Sequence, residues 1–220
     1  MILLSSFMIL LKKYSRQDDI IVGTPIAGRV HKDTENVMGI FVNTLAMRGK
    51  PDGKKTIAVF LDEMKEIILK AFDNQEYQFD ELVEAININR DMGRNPLFDV
   101  VFALQNNEEI AMEINGIKVE SIPSEKNTAK FDITFNMYDN SLECEYCTDL
   151  FKKQTIVRML SHFINMVQDI INNPNKTIGN ISMLDVDEKL LITEDFNNTT
   201  TNYPKDKTVI ELFEEVVANN

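Results

Sequence analysis

The segment Ile20-Ile21-Val22-Gly23-Thr24-Pro25-Ile26-Ala27-Gly28-Arg29 decides the fold. Its β-branched run has no polar alternation, which reads as a strand buried on both faces. Before it, residues 2–14 are almost wholly apolar and suit a buried helix, ended by the polar run Ser15 to Asp19. After it, a polar loop from His31 to Asn36 leads to a second apolar stretch, Met38 to Met47. Thr56 to Asn74 then carries Phe60, Met64, Ile67, Ile68 and Ala71 at helical spacing, with charges around the rest of the wheel. A short helix over 79–87, a turn at Arg90-Asp91-Met92-Gly93, and strands over 97–104 and 116–122 follow. Phe131, Ile133, Phe135 and Met137 alternate, as do Leu142, Cys144 and Tyr146, around the turn triplet Asp139-Asn140-Ser141. That is a hairpin signal. A long helix presents Ile156, Met159, Leu160, Phe163, Val167, Ile170 and Ile171 and stops before Pro174. Helices alternate with strands, some buried on both faces and some on one, so an α/β layer structure with a mixed sheet is expected.

The tail differs in character. Asp185 with Glu188, and Thr208 with Glu211, are capping-box signals for helices reaching about Phe196 and Ala218. Between them, residues 197–207 are rich in Asn and Thr, contain Pro204 and read as a linker.

Composition narrows the function classes. With 44% hydrophobic and 26% charged residues, the 220-residue chain is ordinary for a globular protein. A net charge of −12 argues against nucleic acid, which is bound through clustered Lys and Arg. The apolar start, Met1 to Leu11, is too short to span a bilayer. Its positive charges follow the apolar run, unlike those of a signal peptide. No membrane partner and a reducing cytoplasm are therefore expected, with Cys144 and Cys147 as structural thiols on a strand that points them to opposite faces. No second cysteine pair or nearby histidine completes a metal site.

No residue pattern yields a catalytic centre by itself. The chain has no Gly-rich phosphate loop, no His-Glu-x-x-His and no Gly-x-Ser-x-Gly elbow. His31 sits in a charged loop and His162 beside core positions of the long helix. Neither has an evident orienting partner, which a general base needs.

Three segments carry specific information together. Met38-Gly39-Ile40-Phe41-Val42-Asn43-Thr44-Leu45-Ala46-Met47-Arg48 resembles the Gly-x-Phe-Val-Asn-Thr…Arg element of nonribosomal peptide synthetase condensation domains. Asn74-Gln75-Glu76-Tyr77-Gln78-Phe79-Asp80 is similar to that family's Asn/His-Gln-Asp-Tyr-Pro-Phe-Glu element, departing at Glu76, Gln78 and Asp80. Arg90-Asp91-Met92-Gly93-Arg94-Asn95-Pro96-Leu97 resembles Arg-Asp-x-Ser-Arg-Asn-Pro-Leu, with Gly93 in the Ser place. Order and spacing agree, and the likeness extends through residues 18–25, 130–132 and 148–151.

The resemblance implies one lobe of a chloramphenicol acetyltransferase-like fold, α/β with a mixed sheet. It implies residues 1–184 as the C-terminal lobe of a condensation domain, 185–207 as helix and linker, and 208–220 as the lead-in to an adenylation domain. In the family, two lobes frame a tunnel where carrier proteins present thioester-bound substrates on phosphopantetheine arms for amide formation. The family's His-His-x-x-x-Asp-Gly motif does not occur in these 220 residues. This chain is therefore expected to be inactive without a partner lobe, to hold no catalytic residue, metal or cofactor itself, and to meet carrier proteins and an adenylation domain. The implied tunnel residues are Asn95, Arg94, Asn43 and Thr44, with Phe41, Arg48, Arg90, Asp91 and Pro96 as structural parts of the motifs and Phe41 and Val42 in the core. Pro96 pushes Asn95 towards an extended conformation. Asn95 then either positions substrate or merely braces the turn, and Arg94 pairs with a carboxylate across the lobes or with Asp91. A second reading is a non-catalytic module that docks a carrier protein or an adenylation domain. A third, a small oligomeric acyltransferase, requires His31 or His162 to be essential.

Overall fold

The computed structural model describes residues 1–34, 36–87, 93–105, 128–139, 141–202 and 204–219, and the backbone of 113–114 and 117–118. The chain divides into two units, Met1–Met183 and Leu184–Asn220.

The first unit is a five-stranded mixed sheet in the order β2-β1-β3-β6-β7. Its strands are β1 (Ile20–Ile26), β2 (Asn43–Gly49), β3 (Val100–Leu104), β6 (Ile133–Met137) and β7 (Leu142–Tyr146). A separate short pair, β4 (Glu113–Ile114) and β5 (Ile117–Lys118), lies between them in sequence. β5 falls within the strand expected over 116–122, whose other residues lie outside the described ones. Strands β1 and β2 run antiparallel with Ile26 opposite Asn43 and Ile20 opposite Gly49. The β1–β3 and β3–β6 pairs are parallel, and β6–β7 is the expected hairpin. Pro25 lies past Gly23, the point where β1 pairs with β3, so its missing N–H breaks no ladder bond there.

Alternate residues of β1, β2, β3 and β6 face one continuous core, Ile20 and Val22, Leu45 and Met47, Phe102, Ile133 and Phe135, with Leu142, Cys144 and Tyr146 of β7 half-buried against it. Three helices cover that face: α1 (Ile2–Ser15), α2 (Ile57–Asp73) and α4 (Lys153–Asn172). Helix α1 is buried without interruption from Leu4 to Leu10, which explains why its sequence is apolar all round. It ends at Arg16 in the left-handed conformation, whose N–H bonds back to Lys12 O. Thr56 caps α2 by accepting from Val59 N–H. In α4 the buried stripe is Ile156, Met159, His162, Phe163, Met166 and Ile170, so His162 and Met166 join the expected face while Ile171 is exposed. Helix α3 (Phe79–Ile86) ends at Asn87, also left-handed.

Two expectations change. Val42 is exposed instead of core, because β2 begins only at Asn43 and residues 37–42 stay outside the ladder as a loop. The strand expected from Leu97 starts only at Val100. Phe98 turns its ring across β1, where a Cβ on Gly23 would lie 2.2 Å from it.

In the second unit, Asp185 caps α5 (Val186–Thr193) by accepting from Glu188 N–H at 2.7 Å. Thr208 and Glu211 close a full capping box on α6 (Val209–Ala218). Neither helix buries a residue.

Candidate functional site

The first motif centres on Asn43, 5% exposed at the start of β2. Its amide nitrogen donates to Gln75 O at 2.9 Å and Tyr77 O at 2.8 Å. Its amide oxygen accepts from Thr44 N–H at 2.8 Å and Phe79 N–H at 3.2 Å. One buried side chain thus ties the Asn74–Phe79 motif, which links α2 to α3, onto the edge of the sheet. Both amide protons are used, so none is left for a substrate. The side chain that the resemblance implies for a tunnel therefore braces two segments of the chain. Thr44, Ala46 and Arg48 alternate away from the core, and Arg48 forms a fork with Asp19, Nε to Oδ1 at 2.8 Å and Nη2 to Oδ2 at 2.6 Å. The hydrogen bond from Arg48 holds the Asp19 carboxyl below its ordinary range. Phe41 is half-buried under the Arg29 guanidinium, 4.3 Å from the ring centre, rather than in the core.

The second locus lies at the N-terminal ends of β3 and β6. Gly93, Arg94, Asn95, Asp99, Lys130, Phe131 and Asp132 line an open cleft of about 280 Å³. Arg94 pairs with Asp99 at 3.0 Å, a partner five residues on that neither sequence option anticipated. Asp99 O accepts from Asp132 N–H, and Asp132 O from Cys147 N–H, so β3, β6 and β7 are stitched together at the cleft floor. Asn95, which lines it, and the adjoining Pro96 are half-buried, while Arg90 and Asp91 lie outside the described residues. Phe98 packs between Phe79 at 5.4 Å and Phe131 at 5.9 Å, ring centre to ring centre. Three of the sequence segments therefore meet through one aromatic row laid over Gly23.

The four implied tunnel residues do not form one cluster. Asn43 stands opposite Ile26, at the C-terminal end of β1. Asp99, the partner of Arg94, borders a groove with Asp19 and Ile20 at the other end. The histidines and cysteines sit in contrasting surroundings. His162 is 4% exposed between α1 and α4, with Tyr14 Oη 2.7 Å from Nδ1, and His31 is exposed. Burial, with Glu145 adding to it, pushes the Cys144 thiol up to about 12, far from a reactive thiolate. Cys147 falls just past the end of β7 and borders the same open cleft as Cys144. Among the described residues, no group of three or more His, Cys, Asp or Glu side chains is placed to hold a metal ion. No helix among them is long and apolar enough to cross a membrane.

Sequence reasoning missed Arg29. Its guanidinium donates to Val37 O at 2.9 Å, to Gly39 O at 3.3 Å and to Thr34 O, closing the loop back on itself. Gly28 permits that closure at φ 64°, where a Cβ would lie 1.8 Å from Phe41 O. Gly28-Arg29 was visible at the end of the β-branched segment, but the carbonyls it gathers are backbone and leave no mark in the side-chain pattern.

This mixed sheet with its covering helices is shared with solved condensation domains. The chain superposes on a holo four-domain nonribosomal peptide synthetase with a TM-score of 0.83 at 22% identity, over 98% of this chain and 18% of that one. On the first condensation domain of the CDA synthetase the TM-score is 0.65 at 13% identity, over 84% of this chain and 42% of that one. The condensation-domain family profile matches residues 1–193. Bacitracin synthase 3 of Bacillus licheniformis is 46% identical over 219 residues, 98% of this chain and 3% of that protein. Gramicidin S synthase 2 of Brevibacillus brevis is 46% identical over 223 residues, 99% of this chain and 5% of that protein. This chain belongs to the condensation-domain family. It spans only a few per cent of the length of these synthetase relatives.

Proposed function

We propose that this chain is one lobe of a nonribosomal peptide synthetase condensation domain and supplies one wall of the tunnel in which carrier-bound substrates are joined. The observation that carries this is the pairing of a family match over residues 1–193 with coverage of only 42% of a solved condensation-domain chain. In the reaction, an acceptor amine attacks the carbonyl of a donor thioester. The C–N bond forms, the C–S bond breaks, and the phosphopantetheine thiol leaves with a proton. This chain's own part is positional. Asn95, lining the cleft beside β3, carries an amide able to donate towards developing negative charge, and Arg94, exposed beside it, is paired with Asp99. Positioning two tethered substrates contributes about 7–11 kcal/mol in favourable cases, but only when both walls are present. The proton-handling group is supplied by the other lobe, since His162 is packed against Tyr14 and His31 faces solvent.

The partners are two carrier proteins, each bringing its phosphopantetheine arm, the complementary lobe and an adenylation domain. The four-domain synthetase aligns with 98% of this chain and the lone condensation domain with 84%, which supports a tail leading into a following domain. The test is to incubate the 220-residue chain with two carrier proteins loaded with aminoacyl thioesters and to follow amide product by chromatography. No product above the uncatalysed level is expected. Turnover by this chain alone, abolished by His31→Ala or His162→Ala, would replace this reading with that of a self-sufficient acyltransferase.

A further inference from the structure

Three lysine side chains, all half-buried, converge where the last turn of α1 meets the segment that follows α4: Lys12, Lys13 and Lys176. Gly179 N–H bonds to Gly53 O at 2.9 Å, and the two lysines of α1 reach this junction. Lys13 Nζ lies 3.4 Å from Gly179 O, and Lys12 Cε lies 4.0 Å from where a Cβ on Gly53 would stand. Lys12 and Lys176 each have a carboxylate, Asp18 for the first and Asp169, at 2.7 Å, for the second. Lys13 forms no ion pair among the described residues, so its ammonium faces two others with only a distant carbonyl to meet it. Burial first, then the charges of Lys12 and Lys176, hold the Lys13 amine below its ordinary range, against the opposing pull of Asp169. Both causes disfavour the ammonium and leave more neutral amine, the form that acts as a nucleophile.

We propose that Lys13 binds carbon dioxide reversibly as a carbamate, flanked by Lys12 and Lys176. The Nζ lone pair forms the new N–C bond, one C=O electron pair moves onto oxygen, and the nitrogen releases a proton to water. No bond to a leaving group breaks, and no further reactant is needed. The product is an anion where an ammonium stood. The two cations that crowd the ammonium therefore attract the carbamate, which reverses the sign of their effect. The carbamate nitrogen keeps one N–H, and Gly179 O is the acceptor in front of it. Asp18 and Asp169 already pair with Lys12 and Lys176, so neither carboxylate stands alone against the new charge.

The test equilibrates the folded 220-residue chain with carbon dioxide and bicarbonate near pH 7.5. Carbamates are trapped with triethyloxonium, and the ethyl adduct is located by peptide mass spectrometry. Lys13 should carry the adduct, and Lys65, exposed on α2, should not. At constant carbon dioxide pressure, occupancy should rise with pH, because the reaction starts from neutral amine and releases a proton. Lys13→Arg should abolish the adduct. Lys12→Gln should lower it about threefold, as for a partly screened charge pair, since it both favours the Lys13 ammonium and removes a cation from the carbamate. Lys12→Arg, which keeps the charge, should restore it. No adduct on Lys13, equal adducts on Lys13 and Lys65, or an adduct unchanged when the chain is unfolded in urea would overturn the site. An adduct that survives Lys13→Arg would belong to Lys12, against the inference. Occupancy untouched by Lys12→Gln would overturn the part given to the flanking cations.

Discussion

At the scale of single residues, Asn43 and Gly23 each serve two segments at once. Asn43 satisfies two backbone carbonyls and two backbone N–H groups across a 36-residue span. Removing it leaves those part-buried groups without this partner, at a cost of about 1–3 kcal/mol for each group that water does not reach. Asn43→Ala should therefore lower the urea midpoint clearly. Asn43→Asp should do the same, because a carboxylate cannot donate to Gln75 O and Tyr77 O. Gly23 works through what it lacks: the Phe98 ring occupies the space of a Cβ, at 2.2 Å. Gly23→Ala is expected to cost about 1–3 kcal/mol by overpacking, measured by denaturation. A combined Gly23→Ala/Phe98→Leu variant should recover part of it. The Asn43 motif was legible as a string of letters, but its task was not, since its partners lie 32 and 34 residues away in sequence.

At the scale of elements, the C-terminal end of α4 is tied to the segment after it by Asp169. Burial works against its carboxylate, yet bonds from Lys176 Nζ at 2.7 Å, Ser182 N–H and Asn173 Nδ2 hold its pKa below the ordinary value. A carboxyl whose folded pKa is depressed adds stability that is fully present above its unfolded pKa, near 3.8, and is lost as pH falls through the folded value. The wild type should therefore lose stability on acidification below about pH 4 more steeply than Asp169→Asn. At neutral pH the variant should be the less stable of the two. Parallel denaturation curves at pH 3, 5 and 7 test both statements. Helices α2 and α4 were legible because their apolar stripes repeat at 3.6 residues over many turns. The late start of β3 was not legible. Leu97 to Leu104 is apolar but for Asp99, and ahead of the strand the Phe98 ring crosses Gly23 while Asp99 pairs with Arg94.

At the scale of the whole molecule, the core lies in the first unit. Its buried cluster runs from Leu4 to Ile181 and includes no residue of Leu184–Asn220. Deleting residues 184–220 should leave the thermal midpoint within about 2 °C, no more than the shift of about 2–4 °C that a loss of 1 kcal/mol produces in a domain of this size. A larger fall would show that the tail contributes to the core. The fold class, the hairpin, the capped helices and the family were determined by the sequence itself, because periodicity, caps and motif strings are local and survive without knowledge of what they touch. The partner of Arg94, the bracing by Asn43, the exposure of Val42 and the stapled loop under Arg29 were decided only by tertiary structure. Each depends on groups, mostly backbone carbonyls and N–H groups, that every residue carries alike and that only the folded chain brings within hydrogen-bond reach.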